Sequence, residues 1–491
     1  MNIFKLIVEL IWLIRIIANM LSYIYLWYIK EYRLDRMLIH LKTRQGKRLL
    51  FITFRLPPLT PKTMGLFVGS LFSLGSSLLF LPGSWWGVFL LTDLLTFPIV
   101  SFWVILFKIP TFLYHQLRIT QAIEKLRTHK PMVVVGITGS FGKTSTKEYL
   151  TQILSEHFKV IKSEASKNSP IGIAELVLKN LKPETECFVV EMGAYKKGEI
   201  AFMSKMVGPQ IAVITAINAQ HNDLFGSIEN TKAAKYELVQ GLTGQKLAIF
   251  NGDNPHTLLL SKQAKQDGCT VFMITKTKTS IPPWVDKMVI ISDIKMEAQG
   301  ITYKLTFAKE KLAVAAQVLG AHQSENITAA ILAAVGAGMS FKSAVSRAAH
   351  ITEIPKTMQK VKGIKEAIFI NDTFNNNPDA ARVAIEFLGQ TPGKRILVFQ
   401  PMIELGTYAE VSHIEAGKLA SQNCDYVYLT NPNYFEAFSK GAKMGQRTFP
   451  VKVLSAARTA TEIKSLLKKG DTVLFKGKEA EAVLKELNKS T

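Results

Sequence analysis

Hydrophobic positions fall into two regimes along the chain. Before about residue 120 they form three long runs: Ile3 to Tyr28, Met64 to Leu81, and Trp85 to Phe107. Runs of this length match what a helix needs to cross a bilayer core. Lys5, Glu9 and Arg15 interrupt the first, which also fits an interfacial amphipathic helix. The second carries no charge, and the third encloses Asp93, with Trp85, Trp86 and Trp103 near its ends, where interfacial tryptophans sit. The first run is too long for a cleaved signal peptide and lacks a small-residue cleavage site. Residues 1–120 are therefore expected to be a membrane region with about three transmembrane helices. Asp93 is expected to face a neighbouring helix or the interface.

After Gln121 the pattern changes to short apolar runs alternating with helix-like segments, the signature of a doubly wound α/β fold. Strand candidates are Met132–Ile137, Cys187–Glu191, Ile211–Thr215 and Lys246–Phe250, and an alanine-rich helix follows at Glu325–Ala337. A second strand and helix series begins near Gln359, with strands expected at Ala367–Ile370, Arg395–Phe399, Tyr426–Leu429 and Thr472–Phe475. The turn-prone stretch before Pro355 divides the soluble part into residues 121–350 and 351–491.

Charge sharpens this picture. The chain has 491 residues and a formal charge of +22. It carries no zinc-finger or RNP-type pattern, so anionic substrates, a nucleotide or a lipid surface explain that charge better than nucleic acid does. Between the first two apolar runs, the basic residues from Lys30 to Lys62 are opposed only by Glu31 and Asp35. The positive-inside rule places that loop in the cytoplasm. A multi-pass protein of the cytoplasmic membrane is then expected, with an external amino terminus and cytoplasmic catalytic domains. Cys187, Cys269 and Cys424 are isolated, which argues against a disulfide framework or a zinc site.

The chemistry concentrates in VVVGITGSFGKTST, Val133 to Thr146. An apolar strand runs into Gly136, Gly139 and Gly142, then Lys143 and Thr144, then a helix to about Phe158. Glycines let backbone N–H groups converge on an anion, and the helix points its positive end at the same place. Lys143 is suited to the β- and γ-phosphates of a nucleotide and Thr144 to Mg²⁺. The generic phosphate loop wants glycine at position 137, where this chain has Ile137; its first glycine comes one place earlier. Glu191 ends the strand CFVVE, and His221 lies in the polar loop AQHNDLFGS. Both sit at carboxyl ends of strands, where such a site draws its ligands.

Taken together, these segments resemble the Mur ligase family, the ATP-dependent amide ligases of bacterial cell-wall assembly. The resemblance rests on GITGSFGKTST, EMGAYKKGEI (Glu191 to Ile200), PQIAVITAINAQHNDLFGS (Pro209 to Ser227), TKAAKYELV (Thr231 to Val239), NGDNP (Asn251 to Pro255) and LGAHQSENITAA (Leu319 to Ala330). INDTFNNNPDA (Ile370 to Ala380) and PMIELG (Pro401 to Gly406) extend it, and together they span roughly residues 130 to 491. The last two segments resemble the branch that adds D-alanyl-D-alanine to a muramoyl tripeptide.

The resemblance implies a central P-loop ATPase domain and a Rossmann-like last domain, with ATP and Mg²⁺ as cofactors. It implies that Gly136, Thr138, Gly139, Ser140, Gly142, Lys143, Thr144 and Ser145 cradle the nucleotide and that His322 and Asn326 contact its adenine side. It further implies that Thr144, Glu191 and His221 hold metal. Lys143, Lys235 and His221 serve catalysis, Lys235 standing where the family carries a carbamylated lysine. Asn168, Asp372, Asn375 and Asn377 are implied to bind substrates. The implied reaction joins a muramoyl-peptide carboxylate, as an acyl phosphate, to a D-alanyl-D-alanine-like amine.

Three departures accompany it. The family's amino-terminal domain, which grips a UDP-linked substrate, is replaced by the apolar runs, which leaves room for a lipid-linked substrate or a partner that supplies recognition. Lys356-Thr357-Met358 stands where the family has Gly-Arg-Met, and Asn371 replaces one of two paired aspartates. Two alternatives remain open at this point: an amide ligase for another polymer, such as a poly-γ-glutamate synthase-like protein, and a non-catalytic nucleotide-binding membrane scaffold.

Overall fold

The computed structural model describes residues 3–42, 54–80, 85–164, 167–194, 196–218, 227–277, 280–297, 300–308, 310–403, 405–445 and 450–489. The chain separates into two compact units, Met1–Arg118 and Ile119–Thr491.

The first unit is helical. Its apolar runs become the helices Ile3–Ile29, Pro61–Phe80 and Trp85–Leu106, packed around Ile16, Met20, Tyr23, Leu66, Val100 and Val104. Gly69 lets the indole of Trp103 lie against the helix backbone, and Trp103 Nε1 donates to Ser73 Oγ at 2.8 Å. Asp93 faces the first helix. It accepts from Trp12 Nε1 (3.3 Å), Arg15 Nε (3.0 Å) and Asn19 Nδ2 (3.0 Å), a partly buried acid satisfied by three donors.

The multi-pass membrane expectation is corrected. Among the described residues only Pro61–Phe80 and Trp86–Arg127 are long and apolar enough to cross a membrane. Core helices of soluble proteins pass the same test of length and composition. The chain is accordingly not assigned to the membrane.

The second unit holds two sheets. In the first, strands β1 (Val133–Thr138) to β9 (Glu310–Ala316) run in the order β2-β3-β1-β4-β5-β6-β7-β8-β9. Here β2 is Val160–Lys162, β3 Cys187–Glu191, β4 Ile211–Ile214, β5 Leu247–Asn251, β6 Thr270–Thr275, β7 Lys287–Glu297 and β8 Gly300–Phe307. The pairings up to β7 are parallel, and β7-β8-β9 form an antiparallel extension. CFVVE and IAVI are buried along their whole length, because helices cover both faces of a parallel sheet. The chain leaves β1 for β2 and β3 on one side and returns to β4 on the other. That reversal opens a crevice at the carboxyl end of β1.

The second sheet runs β10 (Gln359–Lys362), β11 (Ile368–Asp372), β15 (Thr472–Lys476), β12 (Arg395–Phe399), β13 (Tyr426–Leu429) and β14 (Val451–Val453). Only β10 is antiparallel. The doubly wound expectation for the chain after residue 121 thus holds in both sheets. Strands Cys187–Glu191, Arg395–Phe399 and Tyr426–Leu429 fall on the residues the hydrophobic pattern picks out.

Gly136 has a packing role. It lies inside β1, paired with Val190 and Ala212, and a Cβ there would come within 2.5 Å of Leu238 Cδ1 on the helix Ile228–Gln240. The glycine that breaks the generic phosphate-loop spacing therefore lets a helix settle onto the sheet. Gly136→Ala is expected to lower unfolding stability by about 1–3 kcal/mol through overpacking. The loss should shrink in a Leu238→Ala background, as read from a double-mutant cycle of urea denaturation midpoints.

Candidate functional site

The loop after β1 is shaped by two glycines that adopt positive φ, Gly139 (152°) and Gly142 (80°). A Cβ on Gly139 would collide with Thr215 Oγ1, and one on Gly142 would stand 2.5 Å from Asn326 Oδ1. The loop is pinned from behind. Ser140 N–H donates to the Ala216 carbonyl at 2.7 Å, and Asn218 N–H donates to Ser140 Oγ at 3.0 Å. Thr138 and Ser145 are buried beneath it, and Thr138 Oγ1 donates to the Met192 carbonyl at 2.9 Å, tying β1 to β3.

Positive charge converges on this loop. Lys143 Nζ donates to the carbonyls of Gly139 (2.7 Å) and Ser140 (3.2 Å). Lys235, delivered by the helix Ile228–Gln240, donates to the same Gly139 carbonyl at 2.9 Å. Burial disfavours the charged form of both. It lowers Lys143 even though Glu191 pulls the other way. Lys235 falls well below the ordinary lysine value, with the neighbouring Lys143 adding to the effect of burial.

Glu191, buried at the carboxyl end of β3, faces the same point. Thr144 Oγ1 donates to its Oε2 at 3.0 Å, and Asn168 Nδ2 donates to its Oε1 at 3.3 Å. Asn168 therefore orients the carboxylate. A hydroxyl and a carboxylate side by side are hard oxygen donors, which suit Mg²⁺. Among the described residues no group of three or more His, Cys, Asp or Glu side chains forms a metal cluster. His221 lies outside the described residues.

His322 precedes the helix Gln323–Gly336, and Asn326 follows one turn later against Gly142. Among the described residues His322 Nδ1 is a buried ring nitrogen with no hydrogen-bond partner, an orphan that suits a ligand group. Burial, then the fields of Lys476, Lys276 and Arg382, lower His322 from 6.5 to about 4.

In the second sheet Asp372 ends β11 beside Lys476, its register partner on β15. Lys476 Nζ donates to Asp372 Oδ2 at 2.6 Å and to the Asn375 carbonyl at 3.0 Å, with both ionic groups buried. Met358 N–H donates to Asp372 Oδ1 at 3.2 Å. Asn375 Oδ1 accepts from Asn376 N–H at 2.8 Å. Asn377 caps the helix Pro378–Gly389, accepting from Ala380 N–H at 3.0 Å, so its carbonyl oxygen is held by backbone. Asn218, beside the phosphate loop, donates to Asp379 in the first turn of that helix and so links the two sheets.

Lys147 and Lys476 escaped the sequence reading. Lys147 shares the inward helical spacing of Leu150 and Leu154, a signal that was available. Lys476 ends a buried strand, the same position that singled out Glu191.

Comparison with known proteins fits this geometry. Residues 137–334 match the model of the Mur ligase middle domain, and residues 358–479 that of the Mur ligase glutamate ligase domain. The UDP-N-acetylmuramoyl-tripeptide--D-alanyl-D-alanine ligase of Escherichia coli is 28% identical over 295 residues, 60% of this chain and 63% of that one. The Bacillus subtilis enzyme of the same name is 28% identical over 73% of this chain and 76% of its own. This chain thus spans somewhat under two thirds of the first relative and about three quarters of the second. Among solved structures, MurF ligase from Thermotoga maritima in complex with ADP is 25% identical, with a TM-score of 0.67, over 77% of this chain and 85% of that one. MurF from Acinetobacter baumannii shares the fold, with a TM-score of 0.68 at 23% identity, over 76% of this chain and 80% of that one. The relatives are named as ligases, and the alignment with them offers no support for a multi-pass membrane protein.

The lowered His322 has a signed consequence. Its folded value lies below 6.5, so the unfolded chain takes up the proton first as pH falls. Its contribution to stability is complete above about 6.5 and is lost as pH falls from there toward 4. His322→Gln should flatten the acid slope of stability in that window, as measured by urea midpoints at a series of pH values.

Proposed function

From the premise that the chain belongs to the Mur ligase family, we propose that it is an ATP-dependent amide ligase. We further propose that it adds D-alanyl-D-alanine, or a similar amine, to a muramoyl-peptide carboxylate in peptidoglycan precursor synthesis. The observation that carries this reading is the convergence of Lys143 and Lys235 on the Gly139 carbonyl, with the Thr144–Glu191 pair alongside. The domain division near residues 121 and 350 belongs to the same reading.

The substrate carboxylate attacks the γ-phosphorus of ATP, ADP departs, and an acyl phosphate forms. The amine then attacks the acyl carbon, loses a proton, and expels phosphate through a tetrahedral intermediate. Carboxylate and triphosphate repel each other, so fixed positive charge is the main catalytic requirement. Lys143 supplies it at the phosphates, and the loop amides after Gly139 supply oriented dipoles. Mg²⁺, held by Thr144 and Glu191, would add Lewis-acid neutralisation of phosphate charge.

Burial and the neighbouring Lys143 lower Lys235 well below the ordinary lysine value, which favours the amine form whose electron pair can add to carbon dioxide. That is the state a lysine needs to become the carbamate implied by the family resemblance. His322 and Asn326 lie on the nucleotide side. Asp372, held by Lys476, offers an acceptor to the incoming amine. The Asn218–Asp379 link supports the last domain shielding the acyl phosphate from water.

The test is ADP release by the purified full chain with pairs of acceptors. UDP-linked muramoyl tripeptide with D-alanyl-D-alanine is expected to stimulate release, and Lys143→Ala to lower kcat/KM by about 10²–10³-fold. Stimulation only by a lipid-linked carboxylate would overturn the substrate but keep the ligase. Release that no acceptor stimulates would overturn the ligase.

A further inference from the structure

Lys147 lies one helical turn beyond Lys143, and its side chain is fully buried. Among the described residues its Nζ has no hydrogen-bond partner. Its neighbours are two carboxylate oxygens, Glu191 Oε2 at 3.4 Å and Glu148 Oε1 at 3.3 Å. Glu148 pairs in turn with Lys162, which is partly exposed on edge strand β2. Charges of alternating sign thus run from the surface inward: Lys162, Glu148, Lys147, Glu191. The last of them shares its Oε2 with the Thr144 hydroxyl.

A buried ammonium without hydrogen bonds is expensive to keep. Packing alone gives no reason for it, since methionine would fill the same volume without the desolvation cost. Charge does give a reason. Glu191 is a buried carboxylate, and the cation 3.4 Å from its Oε2 holds that oxygen beside Thr144.

We propose that Lys147 is a positioning residue, an internal cation that holds Glu191 ready and, by repulsion, limits how tightly the Thr144–Glu191 pair takes up a divalent ion. The proposal rests on the reading of Thr144 and Glu191 as the Mg²⁺ donors. Glu148 divides the attention of Lys147 between two carboxylates, so the two residues act on the site with opposite sign. Removing Lys147 leaves the full charge of Glu191 to the incoming ion. Removing the charge of Glu148 leaves Lys147 uncompensated against it.

The experiment titrates Mn²⁺, as a spectroscopic stand-in, into the nucleotide-free full chain, with free ion read by electron paramagnetic resonance. Lys147→Met is expected to tighten binding about five- to tenfold, and Glu148→Gln to weaken it by a similar factor. Lys147→Arg, which keeps the charge, should stay within about twofold of the parent. Shifts of the two charge-removing variants in the same direction, or no shift in either, would overturn the proposal, because lost packing moves both alike. If Lys147→Met does not fold, Glu148→Gln alone decides: unchanged or tighter binding overturns it. Glu191→Gln separates the two readings. Binding that survives this substitution removes the metal assignment itself and the proposal with it.

Discussion

Two lysine side chains share one carbonyl oxygen, that of Gly139, and much of the site is arranged to make that possible. Like charges brought together away from water repel strongly and lose hydration. They are kept there by groups from several places in the chain. The positive φ of Gly139 turns its carbonyl toward both amines, and no Cβ would fit against Thr215. The helix Ile228–Gln240 reaches far enough inward to deliver Lys235 because Gly136 leaves space for Leu238. Glu191 supplies opposing charge from the adjacent strand. A surface that concentrates cations without an acid or an ordered loop would not hold this geometry.

Much of the fold was legible because parallel strands covered on both faces are written as short apolar runs. The pattern also located Lys143, Thr144 and Glu191, since a nucleotide site draws on the carboxyl ends of strands. Roles were harder to read than places. Gly136 looked like part of a phosphate cradle but relieves a helix-to-sheet contact, which only the three-dimensional register reveals. Asn168 and Asn377, expected near substrate, are engaged with Glu191 and with a helix end. Lys147 and Lys476 are both buried, and a lysine reads as surface until its burial is known. The apolar runs of the first unit misled for a different reason: length and hydropathy alone are weak grounds for a membrane span when only two helices meet them.

The two sheets of the second unit communicate through few polar atoms. Asn218 touches the phosphate loop with its backbone and the first turn of Pro378–Gly389 with its side chain. His322 feels charges from both sheets, Lys276 from the first and Lys476 and Arg382 from the second. Residues that differ by more than a hundred positions in sequence thereby share one electrostatic environment. A change in charge on either sheet is sensed at the other without any shift of the backbone.

Strand β15 is the last strand in sequence yet lies inside the second sheet, between β11 and β12. Its Lys476 meets Asp372 across a gap of 104 residues. Closing so long a loop is entropically slow. During synthesis, the strands up to β14 emerge with an open slot where β15 belongs, and Asp372 meets Lys476 only once β15 has followed. The second sheet therefore closes only after its sequence-last strand has been made, even in a protein made from its amino terminus onward. Loss of β15 would remove the middle of a sheet, and with it the Lys476 contact that holds Asp372.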